Sequence, residues 1–135
     1  MLKDRLFDAT QLPLLRLGLD TYALRQRAIA DNVANSETFG YKRKQVKFEE
    51  KLDKVLSTRD LRRTHQQHLH NVAESINELE PQLEIDFTPS DINDLSNVDV
   101  DREMSDMAKN HLQFTFAGHM ARMFYELLNT SIRGI

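Results

Sequence analysis

The sequence predicts a mainly α-helical fold in which two long terminal helices pair as a coiled-coil-like hairpin, with a small irregular middle segment. Two observations lead to this fold class. Apolar residues recur at helical spacing over long stretches near both ends of the 135-residue chain, and the middle shows only short periodic stretches. We therefore divide the chain into residues 1–40 (the first helix and a turn), 41–97 (the middle segment, partly irregular) and 98–135 (the second helix).

The first helix is predicted over roughly residues 11–35. Its apolar residues alternate at three- and four-residue steps, which is typical of a coiled-coil seam, and Gln26 is the one polar interruption. Pro13 falls in the first turn, where its missing N–H costs little. The predicted seam residues are Leu15, Leu19, Tyr22, Ile29 and Val33.

The second helix is predicted over roughly residues 98–132. Asn97 or Asp99 can cap its start, and Gly134 lies where it should stop. Its apolar residues repeat every seven positions, with companions between them. The predicted seam residues of this helix are Val100, Met104, Met107, Phe114, Ala121, Phe124 and Leu128.

The C-terminal half of the second helix is apolar nearly all round, as Phe116, Met120, Met123 and Leu127 illustrate. A hairpin of two helices buries one stripe on each, so the surplus surface predicts burial against other chains. The alternative is a compact monomer in which the middle segment covers the helices. The middle segment supplies few large apolar residues for that purpose.

The middle segment contains two short periodic stretches. Phe48, Leu52, Val55 and Leu56 predict a short helix. Leu83, Ile85 and Phe87 alternate with acidic residues and predict a short strand, which ends at the sequence Thr88-Pro89.

Charge is unevenly distributed along the chain. Residues 1–73 carry 14 basic and 9 acidic side chains, whereas residues 74–106 carry 11 acidic side chains and only Arg102 as a base. Two interpretations stay open: head-to-tail pairing with copies or relatives, or an acidic stretch that is only a solvated loop.

The composition argues against an enzyme. The chain has no cysteine, which excludes disulfides and thiol catalysis. His65, His68 and His70 crowd together, but their spacing does not place three imidazoles on one helix face and no His-Glu-x-x-His pattern is present. There is no Gly-x-Ser-x-Gly elbow or glycine-rich phosphate loop. We expect no catalytic residue, no metal and no cofactor.

Membrane and nucleic-acid binding are also disfavoured. No apolar run reaches the ~20 residues of a spanning helix, and the N-terminus M-L-K-D-R-L-F-D-A-T lacks the apolar region of a cleaved signal. A small basic patch consists of Lys42, Arg43, Lys44 and Lys47. Nucleic-acid binding would require more positive charge than a chain with a pI near 5.9 offers.

Residues 30–42 read A-D-N-V-A-N-S-E-T-F-G-Y-K. This string resembles the N-terminal signature of the flagellar basal-body rod and hook family of axial proteins. That signature reads A-x-N-[IV]-A-N-x-x-T-x-G-[YF]-[KR]. Residues 97–104 resemble the start of the family's C-terminal helix, and Thr64 to Leu69 resemble an element of its proximal-rod branch. Phe39 departs from the pattern, since the family usually has Pro there. The matching residues are Ala30, Asn32, Val33, Ala34, Asn35, Thr38, Gly40, Tyr41 and Lys42.

The resemblance implies a structural, non-enzymatic subunit of the proximal rod that polymerises through its terminal helices. It implies export by the flagellar type III pathway without a cleaved signal, and a place in the periplasmic rod. The implied partners are other copies of the chain, other rod proteins, the rod–export-apparatus adaptor and the export machinery, with no nucleic acid and no small-molecule substrate.

Two alternatives and one motif complete these expectations. The alternatives are the sister proximal rod protein of the same family and a soluble helical adaptor or chaperone-like binding module. Phe48 and Leu52 resemble the F-x-x-x-[aliphatic] export-gate motif of rod and hook substrates, and ordinary packing on a helix face explains them equally well.

Overall fold

Two long helices and a two-stranded sheet make up the fold. The structure is a computed structural model that describes residues 12–53, 79–89 and 96–134. The elements are α1 (Leu12–Ala34), β1 (Lys44–Lys47), β2 (Gln82–Ile85) and α2 (Val100–Arg133). The two helices pack on each other, and β1 also packs on α1. The predicted mainly α fold with paired terminal helices is confirmed.

The sequence at the end of α1 explains why the helix stops at Ala34. The side-chain amide of Asn35 donates to the backbone oxygen of Asp31 at 2.8 Å, and the Ser36 hydroxyl donates to the backbone oxygen of Val33 at 2.9 Å. These side-chain bonds add to the bonds that the same carbonyl groups accept from the backbone N–H groups of Asn35 and Ser36 at the end of the helix. The chain then leaves the helix axis.

Both ends of α2 follow the predicted signals. The Asp99 carboxylate accepts hydrogen bonds from the backbone N–H groups of Asp101 and Arg102, at 3.0 and 3.2 Å. Asp101 and Glu103 add negative charge to the first turn. Gly134 takes the left-handed conformation (φ 69°), and its N–H donates to the backbone oxygen of Thr130.

The buried side of α2 is largely polar. Its three buried residues are Glu103, Asn110 and Ala117, which stand seven positions apart. The Asn110 amide donates to the Tyr22 backbone oxygen at 3.0 Å and to Gln26 Oε1 at 2.9 Å. The contacts Tyr22–Asn110 and Asn32–Glu103 show that the helices run antiparallel.

The structure places the predicted seam residues at several levels of exposure. Ile29 is buried, whereas Val100, Met104 and Phe114 are exposed. The other members are half-buried, namely Leu15, Leu19, Tyr22, Val33, Met107, Ala121, Phe124 and Leu128.

The sheet lies beside the helix pair. Its strands are antiparallel, with Lys44 opposite Ile85 and Val46 opposite Leu83. Val46 and Phe48 are buried together with Leu79. The predicted strand is present as β2, which ends at Ile85, so that Phe87 lies beyond it. Its partner β1 contains two residues of the basic patch, Lys44 and Lys47. The predicted short helix is present over residues 49–53, and its remaining residues lie outside the described part.

Two further expectations concern membranes and metals. None of the described helices is long and apolar enough to cross a membrane. Within residues 12–53, 79–89 and 96–134, His, Asp and Glu side chains form no group of three or more that could hold a metal ion. His65, His68 and His70 lie outside these residues.

Candidate functional site

The signature string forms a tight turn directly after α1. The backbone N–H of Tyr41 donates to the Thr38 backbone oxygen at 3.1 Å, which closes a four-residue turn. Gly40 occupies the third position with φ 71°, as a type II turn requires. Phe39 occupies the second position, where proline is favoured, and its ring is 77% exposed.

Asn32 is the centre of the site. Its side chain is fully buried, and its Nδ2 donates to the Lys44 backbone oxygen at 2.7 Å and to Glu103 Oε2 at 3.0 Å. Its Oδ1 accepts from the Lys44 backbone N–H at 2.8 Å and from the Tyr41 hydroxyl at 3.3 Å. All four hydrogen-bonding positions of the amide are therefore occupied. Through these bonds Asn32 holds Tyr41 and Lys44, which follow the turn, against α1, and it contacts Glu103 of α2.

Glu103 completes this arrangement from the other helix. Its carboxylate is fully buried and accepts from Arg43 Nε at 2.5 Å. Arg43 also contacts Asp106 Oδ2 at 3.2 Å through Nη2. A buried carboxylate is tolerable only with such partners, because desolvation of an unpaired charge is costly. We call Asn32, Tyr41, Arg43, Lys44 and Glu103 the turn cluster.

Lys44 adds contacts at the edge of the turn cluster. Its ammonium group lies 3.2 Å from Asp31 Oδ2 and 5.8 Å from the centre of the Tyr41 ring. The hydrogen bond to Asp31, followed by the charge interaction with Tyr41, raises the pKa of Lys44. The group is exposed to solvent, so these contacts orient the side chain more than they stabilise the fold.

A second amide, Asn97, ties the sheet to the start of α2. Its Oδ1 accepts from the Arg43 backbone N–H at 2.7 Å, and its Nδ2 donates to the Asp86 backbone oxygen at 2.9 Å. Thr88 in turn donates to Asp86 Oδ1 from its backbone N–H at 3.0 Å and its hydroxyl at 2.8 Å. These two bonds, the backbone one first, lower the pKa of Asp86. Asn97, one of two predicted caps, thus serves as a cross-link, and Asp99 is the cap.

One more bond joins the turn to the segment before α2. The Ser96 hydroxyl donates to the backbone oxygen of Ser36, and Tyr41 forms an isolated parallel bridge with Ser96. Through these contacts the turn, the sheet and both helices meet within one small region.

The remaining signature residues lie around the turn cluster. Ala30, Ala34, Thr38 and Gly40 are exposed, and Val33, Asn35 and Lys42 are half-buried. Thr38 Oγ1 makes only a long contact of 3.5 Å with Asn35 Oδ1.

The proposed export pair lies elsewhere. Phe48 is buried and Leu52 is half-buried, and the Leu52 backbone N–H donates to the Phe48 oxygen at 3.0 Å. Both therefore pack on one face of a short helical segment.

Sequence reasoning missed the partners of Asn32. The sequence places Arg43 and Lys44 in a basic patch and indicates no partner for Glu103. The seven-residue spacing of Glu103, Asn110 and Ala117 is the signal that reveals the buried side of α2.

The chemistry of the turn cluster is that of a joint. The Asn32 amide is saturated, the Glu103 carboxylate is neutralised by a guanidinium group, and both of these side chains are buried. Such an arrangement holds segments in a fixed relation. It offers no poised nucleophile or general base.

Comparison with known proteins shows which family the chain belongs to. No protein-family model matches the chain. The flagellar basal body rod protein FlgB of Borrelia hermsii is 30% identical over 121 residues, which cover 85% of this chain and 90% of that protein. The chain belongs to the FlgB family of flagellar basal body rod proteins.

Relatives in distant bacteria agree with the FlgB assignment. FlgB of Escherichia coli (strain K12) is 36% identical over 104 residues, or 72% of this chain and 74% of that protein. FlgB of Bacillus subtilis (strain 168) is 30% identical over 113 residues, or 74% of this chain and 75% of that protein. The resemblance of the signature string to the rod and hook family is thereby confirmed.

Proposed function

We propose that the chain is a structural subunit of the proximal rod of the bacterial flagellar basal body. In this role it polymerises through its terminal helices and connects the membrane-embedded base and export apparatus to the rod drive shaft. The observation that carries the proposal is the match to FlgB proteins over most of the chain. The shared name favours this branch over the sister proximal rod protein.

The exposed apolar surface of α2 supports polymerisation. Leu112 is 71% exposed, Phe116 69%, Leu127 61% and Ile132 82%. Surfaces of this kind mark sites of contact with other proteins. Val100, Met104 and Phe114 belong to the same exposed set, and we assign them to contacts between subunits.

The subunit is non-enzymatic in this proposal and needs no cofactor, small-molecule substrate or nucleic acid. The turn cluster supports this role because its polar groups are used in holding the fold. Residues 1–40 and 98–135 supply the assembly helices, and residues 41–97 form the connecting segment.

Location and partners follow from the same role. We place the subunit in the periplasmic rod, exported by the flagellar type III pathway without a cleaved signal. Its neighbours are other copies, other rod proteins and the rod–export-apparatus adaptor. Phe48 and Leu52 would meet the export machinery in the unfolded chain, since packing covers Phe48 after folding.

Disulfide cross-linking tests the proposal directly, because the chain contains no cysteine. Met123 is 48% exposed on α2, so a Met123→Cys variant should cross-link to neighbouring copies or rod proteins carrying cysteine in purified basal bodies. The same variant in a strain that builds no basal body serves as control. Recovery of the protein only outside basal bodies would refute the proposed function.

A further inference from the structure

A basic cleft lies between α1, β1 and the first turns of α2. It has a volume of about 300 Å³, and Asp106 and Glu49 are its two acidic lining residues. Asn110 and Gln113 contribute amides. The five basic side chains that line it are Arg25, Arg43, Lys44, Arg102 and Lys109.

The basic residues of the cleft differ in how they are paired. Arg25 lies 2.7 Å from Glu49, and Arg43 and Lys44 are held by Glu103 and Asp31. Arg102 and Lys109 are exposed, and neither forms an ion pair with another residue of the described ranges. Since they stand seven positions apart on α2, they present positive charge along one side of the cleft.

Asn110 provides an independent observation in the same cleft. It is 2% exposed, and its Nδ2 hydrogens are used by Tyr22 and Gln26. Its Oδ1 is buried without a donor. An acceptor that is buried without a donor is costly, so the site favours a ligand that brings an N–H group.

The combination of charges and acceptor selects one class of ligand. A phosphodiester matches the basic residues but presents only acceptors to Asn110 Oδ1. An acidic peptide matches both, because its carboxylates can pair with Arg102 and Lys109, and its backbone supplies the N–H donor that Asn110 Oδ1 lacks once the buried amide turns toward the cleft.

We propose that this cleft binds an acidic segment of a second copy of the chain. The chain itself contains such a segment: residues 79–101 carry seven acidic side chains and no basic one. Within it Asp86 and Asp99 are engaged in contacts of their own chain, whereas Glu80 and Asp101 are exposed. The inference rests on the proposed function, in which copies meet in the rod, and deepens it by naming one contact between them.

Fluorescence anisotropy tests this contact in solution. A labelled synthetic peptide of residues 79–101 is titrated with the full-length protein. We expect binding that weakens as NaCl rises from about 50 to 500 mM, because exposed charges are screened. A peptide with its acidic residues replaced by Asn and Gln should not bind, and equal binding by that peptide would overturn the proposal.

Variants of the cleft supply the matched comparison. The double variant R102Q/K109Q should bind the acidic peptide about tenfold more weakly, as expected from loss of two exposed ion pairs. The double variant R122Q/R133Q removes two exposed basic residues of the same helix away from the cleft and should bind like the unaltered protein. Equal losses in both double variants would show attraction to overall charge and overturn the proposal.

Competition with inorganic phosphate distinguishes a cleft that binds small anions from one that binds a peptide. Displacement of the peptide by 10 mM phosphate, beyond the effect of chloride at equal ionic strength, would reassign the cleft to small anions. The cross-linking test of Met123→Cys is independent of this result. A protein that assembles into basal bodies but fails to bind the peptide would refute the cleft contact and leave the proposed function standing.

Discussion

Asn32 on α1 and Glu103 on α2 are 71 positions apart in sequence and share a hydrogen bond of 3.0 Å between two fully buried side chains. Arg43, which follows the turn, neutralises the same carboxylate. The three residues connect both long helices and the strand after the turn through charge and hydrogen-bond geometry.

Replacing Glu103 by Gln should lower the free energy of unfolding by about 3 kcal/mol, because Arg43 loses its buried partner. Urea titration followed by circular dichroism measures the change. Glu126→Gln is the control, since Glu126 is an exposed residue of the same helix. Equal stability of the two variants would show that the buried ion pair contributes nothing.

Asn32→Asp should destabilise the fold in a pH-dependent way. The introduced carboxyl group lies beside the Glu103 carboxylate, and repulsion between them raises its folded-state pKa above the ordinary value of about 3.9. The part of the penalty that comes from repulsion is therefore absent below that value and grows as pH rises through the raised pKa, whereas the loss of one of the two Nδ2 donors is independent of pH. Stability of the variant relative to the unaltered protein at pH 4 and pH 7 checks this. A penalty that is independent of pH would contradict the predicted repulsion.

Gly40 allows a clean test of backbone strain. A Cβ atom added there meets nothing within 4 Å, so a substitution changes conformation without causing a clash. Gly40→Asn should be nearly neutral because Asn tolerates positive φ, whereas Gly40→Val should cost about 1–2 kcal/mol. Unfolding midpoints and motility of complemented cells provide the measurement. Normal assembly and swimming with Gly40→Val would refute the role of the turn as a joint.

Phe39→Pro should stabilise the turn by about 0.4–1 kcal/mol, because proline at the second position restricts the unfolded chain. Phe39→Ala is the control for loss of the exposed ring. A higher urea midpoint for Phe39→Pro than for Phe39→Ala is the expected result. The reverse order would exclude a proline-compatible conformation at residue 39.

Thr88→Val should raise the pKa of Asp86 toward its ordinary value, because it removes the hydroxyl donor and keeps the backbone donor. A lowered carboxyl pKa contributes stability above the unfolded-state value and loses it as pH falls through the folded-state pKa. That contribution should shrink in the variant. Carboxyl carbon NMR titration measures the pKa, and Thr115→Val, whose hydroxyl donates to the His111 backbone oxygen, is the control.

The helices were predictable because their signals are local. Pro13 near the start of α1, the Asp99 cap and Gly134 at the stop act within a few residues of themselves. The strand β1 was not predictable, since Lys44, Gln45 and Lys47 surround a single buried Val46 and hide any alternation. Its pairing with β2 depends on residues about forty positions away.

The turn cluster escaped prediction for the same reason. Asn32 was singled out by the signature, yet its partners Lys44 and Glu103 are set by the packing of three elements. From its residue type alone, Glu103 would be expected to be exposed, because glutamate is seldom fully buried. The tertiary positions of Arg43 and Asn32, which both donate to its carboxylate, make its burial tolerable.

The spacing of Glu103, Asn110 and Ala117 has a consequence for alignment. An all-apolar interface would lose little if α2 slid by seven residues along α1. Here a slip that brings Asn110 opposite Asn32 would leave the guanidinium of Arg43 without a carboxylate, because Gln113 would take the place of Asp106. The directional groups thus admit a single register, and a subunit held in one register presents the same outer surface in every copy.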